Sequence, residues 1–393
     1  MELARSPAAA PLFPAECAAS QLAAFVTLLV SVINAGQESE RRRRAALSAT
    51  GGGLGDAQEY DVVVVGGGTA GCVLAARLSE DGRRRVLLLE RGGTQPAEAT
   101  VPGYAVANLR SELVQNLQAA AEPQNCNATG CALQVPRVLG GGSSVNGLMV
   151  IRGNDADYDQ WAELTGDSSW NHTNMLRYFK RAEDNLDVAI NWDTDFHSTG
   201  GPQKVSWQPY RHPVLRAFAK AYDDLGTPSI LDINGGQGQL GYSIAQTITA
   251  DGERWSTYRS YLKPAMCRSN LRVETFATAR RVLLDDKDGR PRATGVEYQD
   301  AAGQVRVVQA KEVVLSSGTI HSPQILMMSG IGPAEHLKEL GIPVRVDLPV
   351  GEGFMDHPRA VGLVAQCDQP LCEVGSTPVN IPATNNAVSA WED

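Results

Sequence analysis

The chain has 393 residues, 43% of them hydrophobic and 20% charged, enough to bury a core larger than one compact domain needs. A lone short binding module and a wholly disordered chain are therefore excluded. Acidic residues outnumber basic ones by 44 to 35, for a net charge of −9, so no nucleic-acid partner is expected. Cysteines at 17, 72, 126, 131, 267, 367 and 372 make no CxxC pair and no zinc spacing, so no metal site is expected. Cys126/Cys131 and Cys367/Cys372 are each close enough for a local bridge in an exported protein and are otherwise free thiols. The 39 glycines gather in short clusters, and these clusters carry most of the information.

The first 57 residues differ from the rest. CAASQLAAFVTLLVSVINAG at 17–36 has few polar positions and reads either as a signal-type apolar core with a small-residue exit or as a membrane anchor reaching across a bilayer. Secretion is the preferred reading, anchoring the alternative. The RRRR run at 41–44 suits a stop-transfer flank or a solvated linker, and the small, Gly-rich stretch 45–56 reads as a tether.

The body opens at Tyr60 with YDVVVVGGGTAG, then CVLAARLSE, then RRRVLLLE. An apolar strand runs into a glycine turn and a helix. Gly66, Gly68 and Gly71 form GxGxxG, which gives a tight turn, backbone access to a pyrophosphate and close helix–strand packing. Thr69 and Ala70 complete the loop at the helix N-terminus, where free N–H groups and the positive dipole end attract phosphate. Val73, Leu74, Ala75 and Leu78 are expected to face the sheet. A second strand from Val86 ends in Glu90, 24 residues beyond Gly66, where a carboxylate can hold both hydroxyls of an adenosine ribose. Glu90 disfavours a 2′-phosphate, so FAD or NAD fits and NADP does not.

VPRVLGGGSSVNGLMVIRGNDADYDQW at 135–161 resembles the first signature of the glucose-methanol-choline (GMC) family of FAD-dependent oxidoreductases, especially its insect-type members. KEVVLSSGTIHSPQILMMSGIG at 311–332 resembles the second. The resemblance implies an α/β fold: a Rossmann-like FAD-binding domain with an interleaved, incomplete α+β substrate-binding domain. It further implies FAD as cofactor, an alcohol or sugar-like small-molecule substrate whose hydride goes to flavin N5, and oxygen or another electron acceptor. Val138, Gly142, Asn146, Gly147 and Met149 are implied to line the flavin ring or the pyrophosphate, and Ala279 to meet the adenine edge through its backbone. The corresponding division of the chain is 58–200 as the first part of the FAD domain, 201–250 as a substrate-domain segment, 251–360 as the FAD domain continued, and 361–393 as the start of a truncated substrate domain.

Further along, 213–225 has the spacing of a helix, 241–249 alternates like a strand, and 270–299 reads as a hairpin around DDKDGR. Arg254, Ser256 and Tyr258 resemble the family's turn into a helix, with either a nucleotide-positioning or a capping and packing role. Ser322 and Pro323 suit a helix cap and first position, and Asp356-His357 resembles a helix entrance near flavin. Asn127 and Asn171 begin glycosylation-type triplets. None of the six histidines at 172, 197, 212, 321, 336 and 357 matches the family's catalytic histidine, so no catalytic residue is assigned. Two other readings stand beside alcohol oxidation: a catalytically incomplete FAD-binding fragment, and an NAD-binding dehydrogenase.

Overall fold

The computed structural model describes residues 15–49, 59–120, 130–209, 213–236, 238–287 and 289–356. Cys126, Asn127, His212, His357, Cys367, Cys372 and the segment 361–393 lie outside them.

A six-stranded sheet organises the molecule. Its strands are β1 (Glu59–Val65), β2 (Val86–Glu90), β3 (Leu271–Thr275), β4 (Thr278–Lys287), β5 (Arg290–Gln299) and β6 (Val305–Leu315). Their spatial order is β4-β5-β6-β1-β2-β3. The four strands β6, β1, β2 and β3 run parallel, with Val65 opposite Leu315 and Leu89, and Glu90 opposite Thr275. The antiparallel pair β4–β5 continues the sheet along the first half of β6.

The run VVVV is apolar at every position because both faces of β1 are covered. Val63 and Val65 join Leu87 and Leu89 in a core closed by β4, β5 and Ile325. Val62 and Val64 join Val86 and Leu88 under α2 (Thr69–Leu78). The buried positions of α2 are Gly71, Cys72, Ala75 and Ala76, with Val73 and Leu78 partly buried against the same core, so Leu74 alone of the expected sheet-facing residues is not part of it. Parallel pairing places the ends of β1, β2, β3 and β6 at one edge of the sheet, the usual place for a ligand in such a fold.

Several sequence expectations are corrected. The 270–299 unit is not one hairpin: β3 leaves to pair with β2, and only β4 and β5 form the hairpin. Residues 241–249 form no continuous strand, because the extended chain meets single residues at a time: Tyr242 bridges Ser229, and Thr247 bridges Met149 and Ser206. The helix Gly318–Met328 starts five residues before Pro323, which lies inside it. Ser322 Oγ instead accepts the Ser317 N–H at 3.1 Å.

At the N-terminus only the expected tether is corrected. Helix α1 (Ala15–Ala49) runs through the RRRR stretch and into the expected tether. Ile33 is 1% exposed and Leu29 8%, both packed with Ala107, Leu113, Val114 and Val138. Among the described residues no helix is long and apolar enough to cross a membrane. The apolar side chains of α1 alternate with Thr27, Ser31 and Asn34, and part of them face protein. Cys131 is disulfide-bonded, while Cys72 and Cys267 are free.

Candidate active site

The turn after β1 and the turn after β2 meet at a cavity of about 740 Å³. Gly66 N–H donates to the Leu89 carbonyl at 2.8 Å, tying the two strand ends together. Gly66 has φ +100°, and a Cβ there would lie 2.6 Å from the Ser316 carbonyl, so the turn requires glycine. Gly68 opens α2 without a side-chain cap, which leaves the first N–H groups of the helix free for an anion.

Gly66, Gly68, Thr69, Ala70, Glu90, Val138, Gly142 and Ala279 all line this cavity, although the sequence separates them by more than two hundred residues. Gly71 lies beneath it as a packing glycine. Thr69 donates to the Gly140 carbonyl and accepts the Ser143 N–H, both at 3.2 Å, so it fastens the two glycine clusters to each other. Glu90 is 6% exposed. Its oxygens accept from Gly92 N–H at 2.7 Å and Gly67 N–H at 2.8 Å. Burial pushes its acidity toward the neutral form, and those two N–H groups oppose the push.

Asn146, Gly147 and Met149 do not line the cavity. They lie on an open face beyond Gly142, with Met149 65% exposed. Asn146 Oδ1 accepts from Leu148 N–H and from Arg254, each at 3.0 Å. Arg254 is fully buried and also donates to the carbonyls of Ala99, Ser143 and Asn146. Burial lowers its pKa to about 10. Arg254 does not line the cavity, and of the two roles read for it the geometry is that of packing: it holds the loop that carries Asn146. Ser256 and Tyr258 sit beside it in packing roles, Ser256 capping Ser260 N–H through its carbonyl and Tyr258 covering the α2 face of the core. Arg254→Met leaves four oxygens without their charged donor, and a stability loss of about 3 kcal/mol in chemical denaturation is expected.

The histidines are occupied or remote. His172 faces Asp155 at 3.1 Å, His197 is locked between carboxylates, and His336 is exposed. His321 lines the cavity, where burial and the charge of Arg91 lower its pKa below the ordinary imidazole value. Asp356 is exposed. No group of three or more potential metal ligands exists among the described residues.

A parallel sheet ending in two glycine turns, a buried acid at the second strand end and an uncapped helix define a dinucleotide-binding scaffold. The GMC oxidoreductase family matches residues 60–359, and the chain belongs to that family. It is 38% identical over 304 residues to glucose dehydrogenase [FAD, quinone] of Drosophila melanogaster, covering 76% of this chain and 48% of that protein. Human mitochondrial choline dehydrogenase is 38% identical over 324 residues, covering 80% of this chain and 52% of the relative. Among solved structures, pyridoxine 4-oxidase from Mesorbium loti superposes with a TM-score of 0.68 at 30% identity, covering 74% of this chain and 55% of that one. The chain spans about half the length of the curated relatives it matches.

Proposed function

We propose that this chain holds FAD for the oxidation of a CH–OH donor, an alcohol or sugar-like molecule, with oxygen or another acceptor taking the electrons. The observation that carries the reading is the cavity itself, which brings together a free helix N-terminus, Glu90 and Ala279, groups suited to phosphate, ribose and adenine. FAD supplies a hydride acceptor when bound. The chain's own residues would bind and orient it: Thr69 and Ala70 would present the helix end to the pyrophosphate and Glu90 would take the ribose hydroxyls, while Arg254 holds the loop that carries Asn146.

An FAD-binding chain without alcohol turnover is the second reading. It is favoured by the histidines, because no described one stands at the open face beside Asn146 in reach of a substrate hydroxyl. The insect-type subgroup is a finer placement, supported by the Drosophila melanogaster relative, although the human choline dehydrogenase is equally identical. The domain division set out from the sequence stands as a proposal, as does secretion or membrane anchoring; the Cys131 disulfide supports an oxidising compartment.

The test is reconstitution with FAD followed by gel filtration. One flavin per chain, released by excess ADP-ribose and bleached by dithionite, is the expected result. Stoichiometric NAD with no flavin absorbance would sink the FAD assignment. Bleaching by an alcohol under anaerobic conditions would overturn the second reading.

A further inference from the structure

Helix α1 lies outside the residues that match the family, yet it grips the cofactor edge of the sheet. Its buried stripe, Leu29, Ile33 and Gln37, continues to the half-buried Glu40, spacing that keeps one helix face against the body. Asn34 Oδ1 accepts the Glu112 N–H at 2.9 Å, and Phe25 meets Tyr104 edge-on. The stripe ends on Thr94. Gln37 donates to the Thr94 carbonyl at 2.9 Å, while Glu40 accepts from the Thr94 N–H at 3.1 Å and from its hydroxyl at 2.8 Å.

Thr94 closes a turn with two other tethers. Phe276 N–H donates to the Gly92 carbonyl and Leu139 N–H to that of Gly93, each at 2.9 Å. The same turn directs Gly92 N–H at the Glu90 carboxylate. The approach of α1 is close enough that a Cβ on Gly93 would stand 2.3 Å from Gln37 Oε1. We infer that α1 is a positioning element of the nucleotide site: Gln37 and Glu40 clamp Thr94, and the clamped turn holds Glu90 in the orientation that receives the ribose hydroxyls. This rests on the FAD reading for the identity of the ligand, but the clamp itself does not.

The full chain carrying Gln37→Ala and Glu40→Ala tests it through two measurements. Hydrogen exchange of the ligand-free protein should accelerate about tenfold across 90–96 and stay unchanged across 60–78, since losing three hydrogen bonds opens that turn alone. Binding of FAD, read by quenching of flavin fluorescence, should weaken about tenfold, and ADP-ribose should weaken equally. Glu40→Gln keeps an acceptor for Thr94 and should restore most of both. Unchanged exchange at 90–96 in the double variant would overturn the clamp whether or not the wild-type chain binds FAD. Altered exchange with unaltered affinity would overturn the link to Glu90. No FAD uptake by the wild-type chain, together with the exchange effect in the double variant, would support the clamp and remove the FAD reading.

Discussion

Replacing His197 with Leu is expected to cost this chain about 3–5 kcal/mol of stability, because two carboxylates lose the cation between them. His197 has no exposed side-chain surface, and its ring faces Glu183 through Nδ1 at 3.1 Å and Asp232 through Nε2 at 2.6 Å. With an acceptor on each nitrogen, both nitrogens donate and the ring is an imidazolium. Arg152 completes the group, 3.0 Å from Glu183 and bonded to the Phe196 carbonyl at 2.7 Å. Two positive and two negative charges thus cancel in the interior. Burial alone would lower the His197 pKa, but its hydrogen bonds to Asp232 and Glu183 raise it to about 9. A raised folded pKa stabilises below the ordinary imidazole value of 6.5, and the benefit is lost as pH rises through 9. The wild-type chain should therefore lose about 3 kcal/mol between pH 6.5 and 10. In urea melts across that range the Leu variant should lack this alkaline loss. Parallel pH curves for the two proteins would refute the charged clasp.

Gly71→Val should abolish detectable FAD binding. A Cβ at Gly71 would lie 1.9 Å from the Gly66 carbonyl and 2.8 Å from Ser316 Oγ, so α2 must move off the turn that it caps. Such overpacking costs about 1–3 kcal/mol where side chains can yield, and backbone yields less. The displacement falls on Thr69 and Ala70, whose N–H groups are the proposed phosphate donors, so an affinity loss of at least about a hundredfold is expected in flavin titrations. Gly103→Ala is the matched control. Nothing lies within 4 Å of its added carbon, and its affinity should equal the wild type. Retention of stoichiometric flavin by Gly71→Val would contradict the placement of the phosphates at α2.

The β1–α2–β2 unit and Glu90 are legible from the sequence because each rests on local chemistry: an apolar run, glycines at a turn, an acid at a strand end. The second glycine cluster is legible as a loop, and its contact with the first through Thr69 is a tertiary fact. Arg254 illustrates the limit. Its neighbours Asn146 and Ala99 lie more than a hundred residues away, and with Asp251, Glu253 and Arg259 close by in the sequence nothing local marks it as the buried charge. The clasp is hidden more deeply, since residues 152, 183, 197 and 232 come from four segments with no shared motif.

The N-terminal helix shows the same division. Its apolar stretch is equally a signal core, an anchor or one face of a docked helix, because hydrophobicity carries no information about what covers it. Packing shows what covers Leu29 and Ile33, which meet Val114 and Val138 from distant parts of the chain. Composition, the glycine spacing and Glu90 by themselves determined an acidic α/β chain with a dinucleotide turn, since those features act within one supersecondary unit. Which strand lies beside β2, where α1 docks and what surrounds His197 were decided only by the tertiary structure. Each depends on groups that are neighbours in space while remaining far apart along the chain.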